Sequence, residues 1–430
     1  MAKIIPFKGI VYNIDKISDF AKIVAPPYDI ISKELQEELY AKDPHNIIRL
    51  ILSKESPGDN AKNNKYKRAA KYFKQWMSDG MLHQDIKPAL YVYKQDFEYG
   101  GKQFSRLGFI ALMKLETKGA KKVLGHERIF DAPRFDRFNL MKEVKANLCP
   151  IFGVFADEKA KAECLLKKSV SGAKPFVDIL FDNIRHRFWR VTDKSIHNKI
   201  TALLKKKHIF IADGHHRYNA SVGICNYLRS KTNSGKNASC EYVMTYLASA
   251  DDKGLLILPT HRIVKKLDNF EASLRKLKKY FNIKAFVGHV RLLKELSKRR
   301  HKNGVFGAYL GGSKFYLFEP KHLRVLQSMM AKKQLKVYNK LDTVILHEAV
   351  FAKMLGLKEK IGGEFNITYT SDPAFAAKLV NQGKAMACFY LNPTKIEDVV
   401  KIAAAKQVMP QKSTYFYPKL LSGLVVNKLL

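Results

Sequence analysis

One stretch, Ile209-Phe-Ile-Ala-Asp213-Gly214-His215-His216-Arg217-Tyr218-Asn219-Ala220, limits this chain to folds in which a buried strand turns directly into a helix. Ile209 to Ala212 is a short apolar run of strand length. Beyond Gly214 the apolar positions Tyr218, Val222, Cys225 and Leu228 recur at helical spacing, so an acid, two imidazoles and a guanidinium fall at a helix N-terminus. Such a terminus presents free N–H groups and the positive end of the helix dipole, Gly214 lets a ligand approach the backbone, and Arg217 adds a bidentate charge-assisted contact. Phosphate is the natural guest. The structural alternative is an Asp cap with solvated histidines; four ionisable side chains within five positions favour a functional site.

The rest of the chain predicts an α/β protein. A strand is expected near Ile4 to Val11, an extended loop at Val24-Ala-Pro-Pro-Tyr-Asp29, and a helix capped by Ser32 with Leu35 and Leu39 buried. A strand is then expected over Ile47 to Leu52, and a helix through Tyr66, Ala69, Phe73, Trp76 and Met77. Ala89–Phe97 and Phe104–Leu115 form a hairpin around Gly100-Gly101. Ile151–Phe155 and Phe188–Val191 read as strands, and Ser230 to Ser239 as a surface loop. Glu241–Ala248 and Leu255–Leu258 read as paired strands, with an exposed His261-Arg262 pair at the exit of the second. An amphipathic helix follows Leu267, strands are expected around Gly304–Leu310 and Lys314–Phe318, and a helix over Thr343–Met354. Asp372-Pro373 opens a helix that stops at Gly383, before a strand over Ala385–Leu391. Thr394-Lys-Ile-Glu397 is a capping box for the last long helix, which ends before Pro410. The boundaries predicted are 1–265 for a catalytic α/β region, 266–400 for a second α/β domain, and 401–430 for a C-terminal segment returning to the active site.

Two further clusters carry chemistry. His126-Glu127-Arg128 sits among charges of alternating sign, which suit an ion-pair network as well as an active site. Lys412-Ser413-Thr414 looks like the end of a phosphate loop but lacks the upstream glycines of a Walker A motif. The formal charge of +38 would suit nucleic acid, yet the lysines are spread over the chain, so nucleic acid is an allowed partner and not the favoured one. Five cysteines without a C-x-x-C pair point away from a zinc knuckle or a disulfide framework. No apolar run is long enough to span a bilayer and the N-terminus has no signal-peptide pattern, so no membrane partner and a cytoplasmic location are expected. The oligomeric state is not readable.

The motifs Ala25-Pro-Pro-Tyr-Asp29, His126-Glu-Arg128, Ala212-Asp-Gly-His-His-Arg-Tyr218, Leu258-Pro-Thr-His-Arg262 and Met409-Pro-Gln-Lys-Ser-Thr-Tyr-Phe-Tyr-Pro-Lys419 resemble, in order, a prokaryotic family catalogued as domain of unknown function number ten-fifteen. The chain departs from that pattern at Gly125, Ile129 and Cys149. Gly214-His-His-Arg217-Tyr-Asn-Ala220 also resembles G-x-x-R-x-x-A, the phosphate box of the ParB/sulfiredoxin superfamily, and in particular its free-serine kinases. That resemblance implies a ParB/sulfiredoxin-like core with magnesium as cofactor. The reaction it implies transfers a phosphoryl group from pyrophosphate or a nucleotide to the hydroxyl of free L-serine. It implies that the box binds phosphate and that an acid takes the serine proton; the chemistry of phosphoryl transfer makes Asp213 or Glu127 the candidate base, Asp213 the candidate metal ligand, and Gly214, His215, His216 and Arg217 the phosphate contacts. His126, Arg128, Lys412, Ser413 and Thr414 would complete the substrate site. A ParB-like nucleic-acid-binding protein and a phosphatase of related chemistry are the alternatives.

Overall fold

The computed structural model describes residues 2–116, 122–231, 239–267, 270–330, 337–357 and 367–429, with only the backbone of 270–274. Two compact units divide the chain: Met1–Gly125, Ile129–Leu256 and Pro418–Leu430 form the first, and His126–Arg128 with Ile257–Tyr417 the second.

The first unit is built on a mixed sheet of nine strands. Its order is Val123–Leu124, Ile209–Asp213, Ile151–Phe155, Tyr242–Ser249, Lys102–Lys114, Leu90–Tyr99, Ile184–Val191 and Val177–Phe181, with Ile4–Ile5 also on Lys102–Lys114. Two pairings are parallel, Ile209–Asp213 with Val123–Leu124 and Tyr242–Ser249 with Ile151–Phe155. The hairpin Leu90–Tyr99/Lys102–Lys114 turns on Gly100 and Gly101, both at positive φ, as expected. One face of the sheet carries Val92, Phe109, Ile151, Ile211 and Leu247. It is covered by the helices Lys161–Val170, Lys194–Lys205 and His215–Lys231, which contribute Leu166, Ile200, Leu204 and Cys225 to the core.

The opposite face is aromatic and polar. Strand alternation places Tyr93, Gln95, Arg106, Phe152, His186 and Tyr246 there together. Arg106 is fully buried and donates to Gln95 Oε1 and, at 2.6 Å, to the Pro418 carbonyl. Its guanidinium stacks on Phe152 and Tyr246, 4.8 and 5.7 Å from the ring centroids. The Tyr93 hydroxyl lies 2.6 Å from His186 Nδ1. Burial depresses the His186 pKa from 6.5 to about 3. Below pH 6.5 the unfolded chain therefore takes up a proton that the folded chain refuses. Stability is expected to fall by up to about 1.4 kcal/mol per pH unit on acidification, until the folded pKa is reached. Urea midpoints between about pH 7 and 4 check this: His186→Gln should flatten the slope, and an unchanged slope would show that His186 does not carry it.

The second unit centres on a six-stranded sheet ordered Phe281–Val287, Lys314–Pro320, Phe306–Tyr309, Ala387–Tyr390, His261–Val264 and Ile367–Thr370. Every registered pairing is antiparallel. Asp372 caps the helix Pro373–Asn381 through the Ala374 and Phe375 amides, as the Asp-Pro pair predicts.

Four local expectations are corrected. Ile47 to Leu52 is not a strand: Ile48–Ile51 is a short buried helix, whose apolar residues all face one core, a case that periodicity cannot separate from a buried strand. Leu256–Leu258 does not pair with Tyr242–Ser249 but joins a separate two-stranded sheet. His261 and Arg262 are buried, because their strand is interior to the second sheet. Thr394 does not cap the helix Ile396–Ala404; its hydroxyl donates to the Ser413 carbonyl instead. Residues 232–238 of the expected surface loop, and 268–269 before the amphipathic helix, lie outside the described residues. No helix among the described residues is long and apolar enough to cross a membrane.

Candidate functional site

Strand Ile209–Asp213 ends in a register shift that shapes the site. Ile211 pairs with Gly153, but Asp213 pairs with Phe152, so two residues on one strand span one step on the other. A regular strand would keep Asp213 on the apolar face with Ile211; the bulge transfers it to the face of Phe152 and Arg106. Gly214 then takes φ +88° and helix His215–Lys231 begins.

Arg217, 8% exposed one turn into that helix, donates to the Pro150 carbonyl and faces Asp213 Oδ2 at 3.5 Å. The Lys419 ammonium reaches the same oxygen at 3.1 Å. Asp213 Oδ1 accepts the Gly214 N–H at 2.9 Å. Thus one carboxylate at a helix start is held between two cations. Burial works to lower the Arg217 pKa, but Asp213, Cys149, Asp29 and Tyr28 act against it and the net shift is upward. Asp29 is an exposed carboxylate in this same electrostatic field. Burial raises Tyr28 to about 12 and also raises the Cys149 thiol, whose sulfur lies 3.0 Å from the Ser422 hydroxyl. Arg137 stacks on Tyr28, 3.8 Å from its ring centroid, while bonding Asp136 and the Ile51 carbonyl.

The adjacent imidazoles diverge, as helical geometry requires. His215 is buried beside Gly125, and His216 is half-buried with its ring 6.2 Å from Phe130. A Cβ on Gly214 would meet the Arg217 guanidinium at 3.0 Å, on top of the positive φ. Gly214→Ala is accordingly expected to lower stability by about 1–2 kcal/mol, read as a lower urea midpoint; an unchanged midpoint would mean the turn relaxes freely.

His126, Glu127, Arg128, Lys412, Ser413 and Thr414 fall in the second unit. Glu127 Oε1 accepts the Lys412 backbone N–H at 2.9 Å, His126 Nε2 lies 3.1 Å from the Thr414 hydroxyl, and the Met409 N–H donates to the His126 carbonyl at 2.7 Å. These contacts draw the two sequence-distant motifs into one cluster. Ser413 is buried and donates to the Pro410 carbonyl. No group of three or more His, Cys, Asp or Glu among the described residues is arranged to hold a metal ion.

Three participants escape a reading of motif spacing. Lys419 and Asp29 each close a motif that the sequence singles out, but neither sits near the box in sequence. Arg106 carries no sequence signal beyond an unexpected charge in an apolar strand.

A family model described as "Protein of unknown function (DUF1015)" matches residues 4–344. No curated protein matches the chain. Among solved structures, the chain is similar to a conserved hypothetical protein from Pyrococcus furiosus, at 14% identity and TM-score 0.34, covering 72% of this chain and 94% of that one. It is also similar to a free serine kinase in complex with AMP, at 12% identity and TM-score 0.33, covering 69% and 83%. A third is SbnI with C-terminal truncation from Staphylococcus aureus, at 9% identity and TM-score 0.36, covering 74% and 86%.

Proposed function

We propose that this chain, which belongs to the DUF1015 family, is a phosphotransferase that places a phosphoryl group on the hydroxyl of a small acceptor. Free L-serine is the acceptor the box resemblance suggests, with a nucleotide or pyrophosphate as donor. The reading includes a ParB/sulfiredoxin-like core for the first unit, supported by the strand–turn–helix setting of the Gly214–Ala220 box. The observation that carries it is the Asp213 carboxylate shared by Lys419 and Arg217 at the start of a helix.

A phosphate offers those two cations a more highly charged partner than one carboxylate, at the positive end of the helix dipole. Its arrival would release Asp213. The acceptor oxygen then forms a bond to phosphorus as the bond from phosphorus to the leaving phosphate oxygen breaks, and the hydroxyl proton passes to a carboxylate. Asp213 fills that role in this reading, with the exposed Asp29 as the second carboxylate of the same unit. Glu127, engaged by the Lys412 amide, is the acid proposed from the other cluster. His215, His216, His126, Arg128, Lys412, Ser413 and Thr414 remain proposed substrate contacts. Magnesium typically takes one or two protein carboxylates, with phosphates and water completing its shell. Asp213 fits that requirement, and the ion would neutralise charge on the transferring group.

The test is to incubate the folded protein with serine, magnesium and ATP, ADP or pyrophosphate in turn. Phosphoserine is the expected product by mass spectrometry; none with any donor would overturn the proposal.

A further inference from the structure

In the second unit the motif Leu258-Pro-Thr-His-Arg262 has a feature that phosphoryl transfer at Asp213 does not use. Strand His261–Val264 is hydrogen-bonded on both sides, and Arg262 stands opposite Tyr369 and Phe389. Val264 and Phe389 belong to the larger apolar core of this unit, so alternation puts Arg262 on its apolar face. The side chain is buried, at 3% exposure. Its guanidinium donates to the Thr260 carbonyl and, at 3.3 Å, to the Lys412 carbonyl, with the Tyr369 ring centroid 5.7 Å away. Those acceptors are neutral. Among the described residues no carboxylate acts on Arg262, and burial lowers its pKa to about 10, which leaves it charged at neutral pH. A buried cation without a counter-ion is strongly unfavourable.

A second observation falls beside it. The Thr260 hydroxyl is buried and has no hydrogen-bond partner among the described residues. Buried polar groups are rarely left so. The Lys412 loop is also held in place: Lys412 takes φ +53°, its amide bonds Glu127, and the Thr394 hydroxyl bonds Ser413 at 2.8 Å.

We infer that the second unit holds an oxyanion site of its own, in which the Arg262 guanidinium and the Thr260 hydroxyl, beside the Lys412 backbone, take the phosphate group of a small phosphorylated molecule. A carboxylate would be satisfied by the guanidinium fork alone. Phosphate has a third oxygen for the hydroxyl.

The test is hydrogen–deuterium exchange of the full chain titrated with inorganic phosphate. Peptides covering 258–264 and 409–417 are expected to gain protection. Thr260→Val should raise the phosphate midpoint for these peptides about tenfold, and Arg262→Gln by tenfold or more. Thr260→Val removes one hydroxyl at nearly constant volume, so it decides the matter even if Arg262→Gln fails to fold. Absence of protection in the wild type, or the same midpoint in Thr260→Val, would overturn the assignment. Peptides over 258–264, which hold none of the substrate contacts proposed above, decide this site, and peptides over 209–220 report the first unit, so failure of either proposal is read independently of the other.

Discussion

Arg217→Met is expected to lower the rate of phosphoserine formation by about 10²–10³-fold, the usual scale for removing one preorganised donor from a charge-developing transition state. The guanidinium is fixed from two sides, by the Pro150 carbonyl and by Asp213, so it does not have to be ordered when phosphate arrives. Methionine keeps most of the apolar stem and removes only the charged fork. The loss should appear mainly in kcat, because the charge that Arg217 meets grows as the phosphoryl group transfers. Stability should fall as well, by about 1–3 kcal/mol, since a buried carbonyl loses its donor. Arg217→Lys should recover only part of the rate, because an ammonium cannot span two acceptors with a planar fork. The measurement is the initial rate at saturating donor, with circular dichroism showing that the variant is folded. A folded Arg217→Met protein within about threefold of wild type would leave the site without its central cation.

The second large effect is on stability. Arg106→Met should destabilise the first unit by about 3 kcal/mol, the scale of breaking a buried charged network. Arg106 is among the largest fully buried side chains, and it ties the Pro418 carbonyl and Gln95 to one point. Gln95 in turn donates to the Lys419 carbonyl at 3.0 Å. The same bonds that anchor the C-terminal segment therefore aim the Lys419 ammonium at Asp213. Two readouts follow: a lower urea midpoint, and a loss of phosphoserine formation under conditions where the variant is still folded. Lys419→Met should reproduce the second with little of the first, because it removes the amine and leaves the anchor. If Arg106→Met lost stability yet kept full activity, the anchor would be structural only and Lys419 would not depend on it.

Local order is legible in the sequence wherever one physical signal decides it. Ser32 and Asp372 cap their helices through the Leu35, Ala374 and Phe375 amides, and Gly100-Gly101 makes its turn at positive φ. These are contacts between near neighbours. Where burial decides, the sequence does not: in Ile48–Ile51 every residue but Arg49 is apolar and buried, and whether such a run is helix or strand depends on the core it enters. Thr394 failed for a related reason, because its hydroxyl found a partner nineteen residues away instead of a helix amide.

The box itself shows the same division. Strand, glycine turn and helix over Ile209–Lys231 follow from a short apolar run, one glycine and a helical repeat. The density of charge there follows from composition alone. Tertiary structure alone decided which way Asp213 faces, because strand parity puts it with Ile211 and only pairing with Ile151–Phe155 reveals the bulge that turns it over. It also decided that Lys419, two hundred and six positions away, supplies the second cation. A lysine near a carboxylate is set by where Arg106 holds the backbone of Pro418, and that long-range packing leaves no periodic trace in the chain.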